Sequence, residues 1–282
     1  MEYLIMTDSS STELLSSDTI KTGFYKEWSC SIVRDKPEQT LKRLREQAMN
    51  SPQRPISFGV RKLDFRAAAV ACDVDTTLIA GETIDEMASD WGCGNEVRKI
   101  TEQAMTGVLD FPEALRLRVA RFKGMPVSMV TAAGQRIPIH EGVREFCAWC
   151  RQHSLRLFLV SGGFELTISP LARELGADRF WGNRLLIRED GKLSGFYDEE
   201  NVVDGPAKAR LLLNECKNSG IDPARLLIIG DGSNDVHMAK AAGLAAGYQP
   251  KMKLIPYLDA MSRARDFNFF QDFLNFSPDK LV

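Results

Sequence analysis

Histidine is scarce in this sequence, long apolar runs are missing, and neither sign of charge prevails. The three histidines, His140, His153 and His237, are scattered along 282 residues, so no cluster of imidazoles marks a metal centre. No stretch approaches the roughly 18 apolar residues of a membrane span. Acidic residues number 38 and basic ones 36, which leaves no bulk field to hold nucleic acid or an anionic bilayer. The opening MEYLIMTDSS carries neither the basic n-region nor the apolar h-region of a secretory signal. These absences predict a soluble cytoplasmic protein that binds neither nucleic acid nor membrane, and they leave monomer or homodimer open.

The six cysteines, Cys30, Cys72, Cys93, Cys147, Cys150 and Cys216, lack the regular spacing of a disulfide scaffold. Cys147-Ala-Trp-Cys150 has the spacing of a redox pair or of half a zinc site. It falls in the middle of GVREFCAWCRQH, which reads as an amphipathic helix, whereas a redox pair belongs at a helix N-terminus. No second CxxC completes a zinc site, so these cysteines read as structural.

What is present is three segments that each run from an apolar stretch into an acid, a hydroxyl or a glycine turn. They are AAAVACDVDTT, ending on Asp73 and Asp75; LRLFLVSGGF, ending on Ser161; and ARLLIIGDGSND, ending on Asp231 and Asp235. Short runs of Val, Ile and Leu bounded by turn residues read as strands buried on both faces of a parallel sheet. Ligands of such sheets bind beyond the carboxyl ends of the strands. The three ends therefore predict a site at one sheet edge.

Around these strands the chain divides into a core, an insert and an extension. Residues 7–18 are Ser/Thr-rich and read as a mobile terminus, followed by a strand near Trp28–Val33 and a helix near Pro37–Met49. Residues 1–63 read as a short N-terminal extension of unassigned role, a small appendage on the main body. The α/β pattern of the core covers 64–78 and 137–282. Residues 79–136 are helical, with apolar spacings of three and four in Glu82–Trp91, Glu96–Met105 and Phe111–Phe122, and read as a lid over the first strand. Leu185–Phe196 reads as a hairpin with a type I′ turn at Asp190-Gly191, and the last strand lies at Leu244–Tyr248.

Asp73 and Asp75, two apart on an extended segment, point the same way. Two such carboxylates repel unless a cation or a shared proton intervenes. With Asp231 and Asp235 added and no His or Cys nearby, the set favours a hard, oxygen-liganded ion, Mg²⁺ first. An EF-hand loop counted from Asp73 would need Gly at its sixth position and Glu at its twelfth, where Leu78 and Ile84 stand, so that reading is rejected. Ordinary turn and N-cap aspartates remain an alternative for any one of these acids. Ser161-Gly162-Gly163 offers a hydroxyl and glycines that let N–H groups approach an anion, or is a plain glycine turn. Lys208 near a helix start runs against the helix dipole, or is an exposed helix residue.

Asp73-Val74-Asp75-Thr76-Thr77, Ser161-Gly162-Gly163, Lys208 and Gly230-Asp231-Gly232-Ser233-Asn234-Asp235 resemble the four ordered motifs of the haloacid dehalogenase-like phosphatases. Within that family VDTTLIAGETIDEMA, ITEQAMTG, LDFPEALRLRVARFKGMP, LVSGGF and IGDGSNDVHMAKAAG are similar to the phosphoserine phosphatase branch, over about Val70 to Lys253. The resemblance implies an α/β fold, a Rossmann-like core with a parallel sheet and an inserted helical-bundle cap. It implies that Asp73 is the nucleophile, forming an aspartyl-phosphate, and Asp75 the general acid/base. It implies Mg²⁺ held by Asp73, the main-chain carbonyl of Asp75 and Asp231, with Asp235 in support. Ser161, Gly162, Lys208 and Asn234 would hold phosphate. Glu82 would pair with the ammonium and Arg118 with the carboxylate of O-phosphoserine, and Met105 and Phe111 would be apolar lid residues. Without the family, Glu82 and Arg118 read as solvated helix charges.

The sequence departs from the family pattern at four places. Thr76 stands where Ser is usual, His237 lies in SNDVHM, Gly205-Pro206 precedes Lys208, and Glu165 adds an acid near the pocket mouth. The implied reaction is Mg²⁺-dependent hydrolysis of O-phosphoserine. Beside it stand the same chemistry on another small phosphate monoester, transfer to an alcohol acceptor, and a non-catalytic binding module on this fold.

Overall fold

The computed structural model describes residues 1–8, 19–34, 37–264 and 266–281. Most of the Ser/Thr-rich segment expected to be mobile, residues 9–18, lies outside the described residues. The centre of the molecule is a parallel sheet built from β5 (Ala69–Cys72), β6 (Arg156–Phe164), β7 (Arg179–Asn183), β10 (Leu226–Gly230), β11 (Leu244–Tyr248) and β12 (Ala260–Ser262). Their order across the sheet is β12-β11-β10-β5-β6-β7, which places the three strand ends named above side by side. Successive residues of a strand face opposite sides. Val70, Cys72, Leu157, Leu159, Leu227 and Ile229 therefore pack under α6 (Val143–Gln152), α7 (Glu165–Leu175) and α10 (Asn268–Asn275). Ala69, Ala71, Phe158, Val160 and Ile228 pack under α1 (Pro37–Asn50), α8 (Gly205–Asn218) and α9 (Val236–Ala241).

The N-terminal residues continue this sheet; they are not a small appendage. β1 (Glu2–Thr7), β2 (Thr19–Tyr25), β3 (Trp28–Arg34) and β4 (Ser57–Lys62) add four antiparallel strands in the order β2-β3-β1-β4, and β4 pairs with β12. Asp272 on α10 clasps them, accepting from Trp28 Nε1 at 3.1 Å and pairing with Lys26. A Cβ on Gly59 would come within 2.5 Å of the Phe273 ring, so the glycine admits α10 to the strand.

The insert is four helices: α2 (Thr83–Asp90), α3 (Gly94–Met105), α4 (Phe111–Arg121) and α5 (Val127–Arg136). Asp110 caps α4 by accepting the Glu113 N–H at 2.8 Å. Met87, Val97, Leu115, Val119, Phe122 and Val130 form an apolar cluster separate from the two flanking the sheet. The chain leaves and re-enters the core through a bridge between Ile79 and Ile139. β8 (Leu185–Ile187) and β9 (Leu193–Tyr197) form the expected hairpin, but its turn is not type I′. Of the turn residues only Gly191 has positive φ, 73°, where type I′ needs two. Arg188 and Lys192 close a three-residue loop, the Arg188 N–H donating to Lys192 O at 2.8 Å, and the single left-handed glycine completes it.

Candidate active site

Each acid at the sheet edge is delivered by the strand before it. The Asp73 N–H donates to Ile229 O at 2.9 Å, so the nucleophile candidate is still tied into the β5–β10 ladder. Val74 O then accepts the N–H groups of Thr77, Leu78 and Ile79, winding the chain into a tight loop. Within it Thr76 takes φ 60°, a left-handed conformation unfavourable for a β-branched residue, and its buried Oγ1 has no hydrogen-bond partner. Just past β10, Asp235 folds back so that Oδ2 accepts the N–H groups of Asp231 and Gly232, both at 3.1 Å. A Cβ on Gly230 would lie 2.4 Å from that oxygen, which is why the strand ends in glycine.

Lys208 lies beneath these acids. Gly205-Pro206 opens α8, and Asp204 caps it by accepting the Ala207 N–H at 2.8 Å. The local change before the lysine is thus absorbed by the helix start. Lys208 is 0 % exposed, with Nζ 2.6 Å from Asp73 Oδ1 and 2.8 Å from Asp235 Oδ1. Burial opposes its charge, but Asp235 and Asp73 outweigh burial and raise its pKa. Burial and then Asp235 push the Asp73 carboxyl well up, with Lys208 opposing. The two directions pull apart. With an ammonium in hydrogen-bond contact, Asp73 is taken as the carboxylate, strained by its acidic neighbours.

Oxygens of Asp73, Asp231 and Asp235 all lie within 4.8 Å of one another. The nearby ammoniums are those of Lys208 and Lys251, the latter 2.8 Å from Asp231 Oδ2. Three carboxylates against two ammoniums leave negative charge in a largely buried place. A donor set made only of oxygen fits a hard divalent cation.

Ser161 joins the acids to the next strand. Its Oγ accepts the Gly163 N–H at 2.8 Å and donates to Asp75 Oδ2 at 3.1 Å. A Cβ on Gly163 would fall 2.6 Å from Asp75 Oδ2, so the second glycine of the motif permits this approach. Burial raises the Asp75 pKa, opposed by hydrogen bonds from Thr83 and Ser161.

Above this floor is a cleft of about 110 Å³, whose wall on the insert side includes Glu82, Phe111 and Arg118. Asp73, Asp75, Ser161, Gly162, Asn234 and Asp231 line it from the sheet side. Glu82 is crowded by protein on its cleft side, yet much of the residue is open to water, which screens its neighbours. Its carboxyl is pushed up to about 7, by burial first and Asp75 second, with Lys251 opposing. Burial lowers the Arg118 pKa, with Glu82 opposing.

Two expected positions lie elsewhere. Met105, at the end of α3, is 78 % exposed and does not line the cleft. Glu165 is turned away from the pocket mouth, into a separate cavity with Phe180 and Arg184, because α7 begins at it and carries it past the cleft. Sequence reasoning missed Lys251 and Thr83. Lys251 follows β11, the next strand end along the same edge, and the strand-end rule applied there would have found it. The Cys147 and Cys150 thiols are buried in α6, and burial pushes Cys147 up to about 12 and Cys150 higher still. Among the described residues no helix is long and apolar enough to cross a membrane.

The model of the haloacid dehalogenase-like hydrolase family matches residues 70–240. A phosphoserine phosphatase of Methanocaldococcus jannaschii is 38% identical over 204 residues, covering 72% of this chain and 96% of that protein. One from Archaeoglobus fulgidus is 38% identical over 182 residues, which are 64% of this chain; the match spans about half, 52%, of the relative's own length. A solved structure described as a phospho-aspartyl intermediate analogue of phosphoserine phosphatase superposes with a TM-score of 0.68 at 34% identity, over 74% of this chain and 100% of that one.

Proposed function

This chain belongs to the haloacid dehalogenase-like hydrolases, and we propose that it hydrolyses O-phosphoserine to serine and phosphate through an aspartyl-phosphate on Asp73. The observation that carries the substrate is Glu82 and Arg118 facing Asp73, Asp75 and Ser161 across one small cleft. One acid and one guanidinium opposite a phosphate floor match the ammonium and carboxylate of a phosphorylated amino acid. The names of the relatives support the same reading.

In the first step an Asp73 oxygen bonds to phosphorus while the bond from phosphorus to the serine oxygen breaks. Asp75 gives its proton to that departing oxygen. In the second step Asp75, now a carboxylate, takes a proton from water. The water oxygen bonds to phosphorus, and Asp73 leaves with its electron pair. Lys208 holds Asp73 in line and offsets charge on the phosphate. The Ser161 hydroxyl, whose oxygen accepts from Gly163 and whose proton goes to Asp75 Oδ2 in this structure, would turn that proton to a phosphate oxygen beside Gly162 and Asn234 once substrate binds. Asp73, the Asp75 carbonyl and Asp231, with Asp235 in support, would hold Mg²⁺, which would supply charge neutralisation at the phosphate.

Residues 79–136 act as a cap over a core of 64–78 and 137–282. Phe111 shields the cleft from water. Six unpaired thiols suit the reducing cytoplasm, and the product suits the final step of serine formation. The test is initial rates on O-phosphoserine and a panel of phosphate monoesters, each with Mg²⁺ and with a chelator. We expect a strong preference for O-phosphoserine that disappears on chelation. A preference for another ester, or full activity without divalent cations, would overturn the assignment.

A further inference from the structure

The two ammoniums at the sheet edge are held in opposite ways. Lys208 is buried between Asp73 and Asp235 and has no room to turn elsewhere. Lys251 pairs, among the described residues, with Asp231 alone; its Nζ is 2.8 Å from Asp231 Oδ2 and its side chain is 61 % exposed. The base of Lys251 is fixed, because its N–H donates to Asp231 O at 2.8 Å and its carbonyl accepts the Leu254 N–H at 3.0 Å. The side chain can therefore swing while the backbone stays in place. Asp231 is also one of the carboxylates grouped to hold a divalent cation. A cation and an ammonium on the same carboxylate repel each other, so each weakens the other's hold. Displaced from Asp231, the ammonium has two ways to turn. Outward is a cavity of about 340 Å³ that Lys251 lines with Arg54 and Arg263, and no acid is among its lining residues. Inward is the cleft, which Lys251 lines together with Ser161, Gly162 and Asn234, the groups set to hold phosphate. The guanidiniums repel the ammonium and a phosphate dianion attracts it, so it turns inward.

We propose that Lys251 changes partners within the active site, holding Asp231 until a divalent cation takes that carboxylate and then pairing with the bound phosphate. The proposal rests on the metal role given above for Asp231. Lys251 makes and breaks no covalent bond and keeps its proton throughout; what moves is its charge.

Such an exchange gives one substitution two effects of opposite sign. We expect Lys251→Met to bind Mn²⁺ about tenfold more tightly than the parent in electron paramagnetic resonance titrations without phosphate, because a competing charge has left. At saturating Mn²⁺ the same variant should bind inorganic phosphate about tenfold more weakly by calorimetry. Lys251→Arg, which keeps the charge, should return both values towards the parent's. Mn²⁺ binding that is unchanged or weaker, or phosphate binding that is unchanged or tighter, would overturn the proposal; a merely structural lysine would weaken both or neither. If Lys251→Met does not fold, Lys251→Gln is read in the same way. A parent that binds no Mn²⁺ removes the metal assignment and this proposal together. Neither titration uses O-phosphoserine, so a different preferred ester would sink the substrate assignment and leave the role of Lys251 to be decided by these measurements.

Discussion

Replacing Asp73 by asparagine removes one of three carboxylates crowded within 4.8 Å of one another. Turnover should fall by at least ~10³-fold with the nucleophile gone, while the metal-free protein should melt at a higher temperature because a repulsive neighbour has left. Phosphate release and thermal melting in chelator read the two effects separately; a variant that turned over normally would remove Asp73 from the chemistry. Lys208→Met acts in the opposite sense. It strips the ammonium from Asp73 and Asp235 and leaves both buried, at a cost of about 3–5 kcal/mol in urea unfolding. Glu82 gives a pH signature. Its pKa is raised from 4.5 to about 7, so it takes up a proton as pH falls and can no longer pair with an ammonium. With a divalent cation bound, the neighbouring carboxylates are offset and the midpoint moves down, into the interval between those two values. The kcat/KM for O-phosphoserine should therefore decline as pH drops through that interval. Glu82→Gln should lose this part of the profile, keeping only the phosphate's own ionisation near pH 6.

At the scale of elements, β5, β6, β10 and β11 were legible because each is an unbroken apolar run, as a strand covered on both faces must be. The acids, Ser161 and Lys208 were legible with them, since each sits at a strand end or a helix start. β4 was not. Its sequence, SFGVRK, puts Gly59 and Arg61 in a buried strand, and local pattern argues against both. Arg61 is satisfied by the carbonyls of Phe273 and Phe276, each at 2.9 Å and more than two hundred positions away in the chain, which no window of sequence can register. Thr83 and Lys251 escaped for the same reason: their meaning comes from what the fold sets beside them. Gly59→Ala tests the packing directly. The added methyl meets the Phe273 ring and should cost about 1–3 kcal/mol. KM and kcat should be unchanged, because the contact is remote from the cleft.

For the whole molecule, one sheet joins the N-terminal strands to the catalytic strands, and Asp272 and Arg61 pin the C-terminal helix across them. Unfolding should be one cooperative event. Two buried thiols report it: Cys30 on β3 and Cys72 on β5 should become reactive at the same denaturant concentration. Cys30 labelling at a clearly lower concentration would show that residues 1–63 melt as a separate unit.

The three-residue strand β12 also sets an order of assembly. A ribosome makes β1–β4 first, and β4 ends at Lys62, but the strand that covers its outer edge begins only at Ala260. Until then the early strands carry an unpaired rim that can pair with any other extended chain. That hazard closes only when Ala260–Ser262 emerge, so the edge of β4 stays open while the insert and all the catalytic strands are being made.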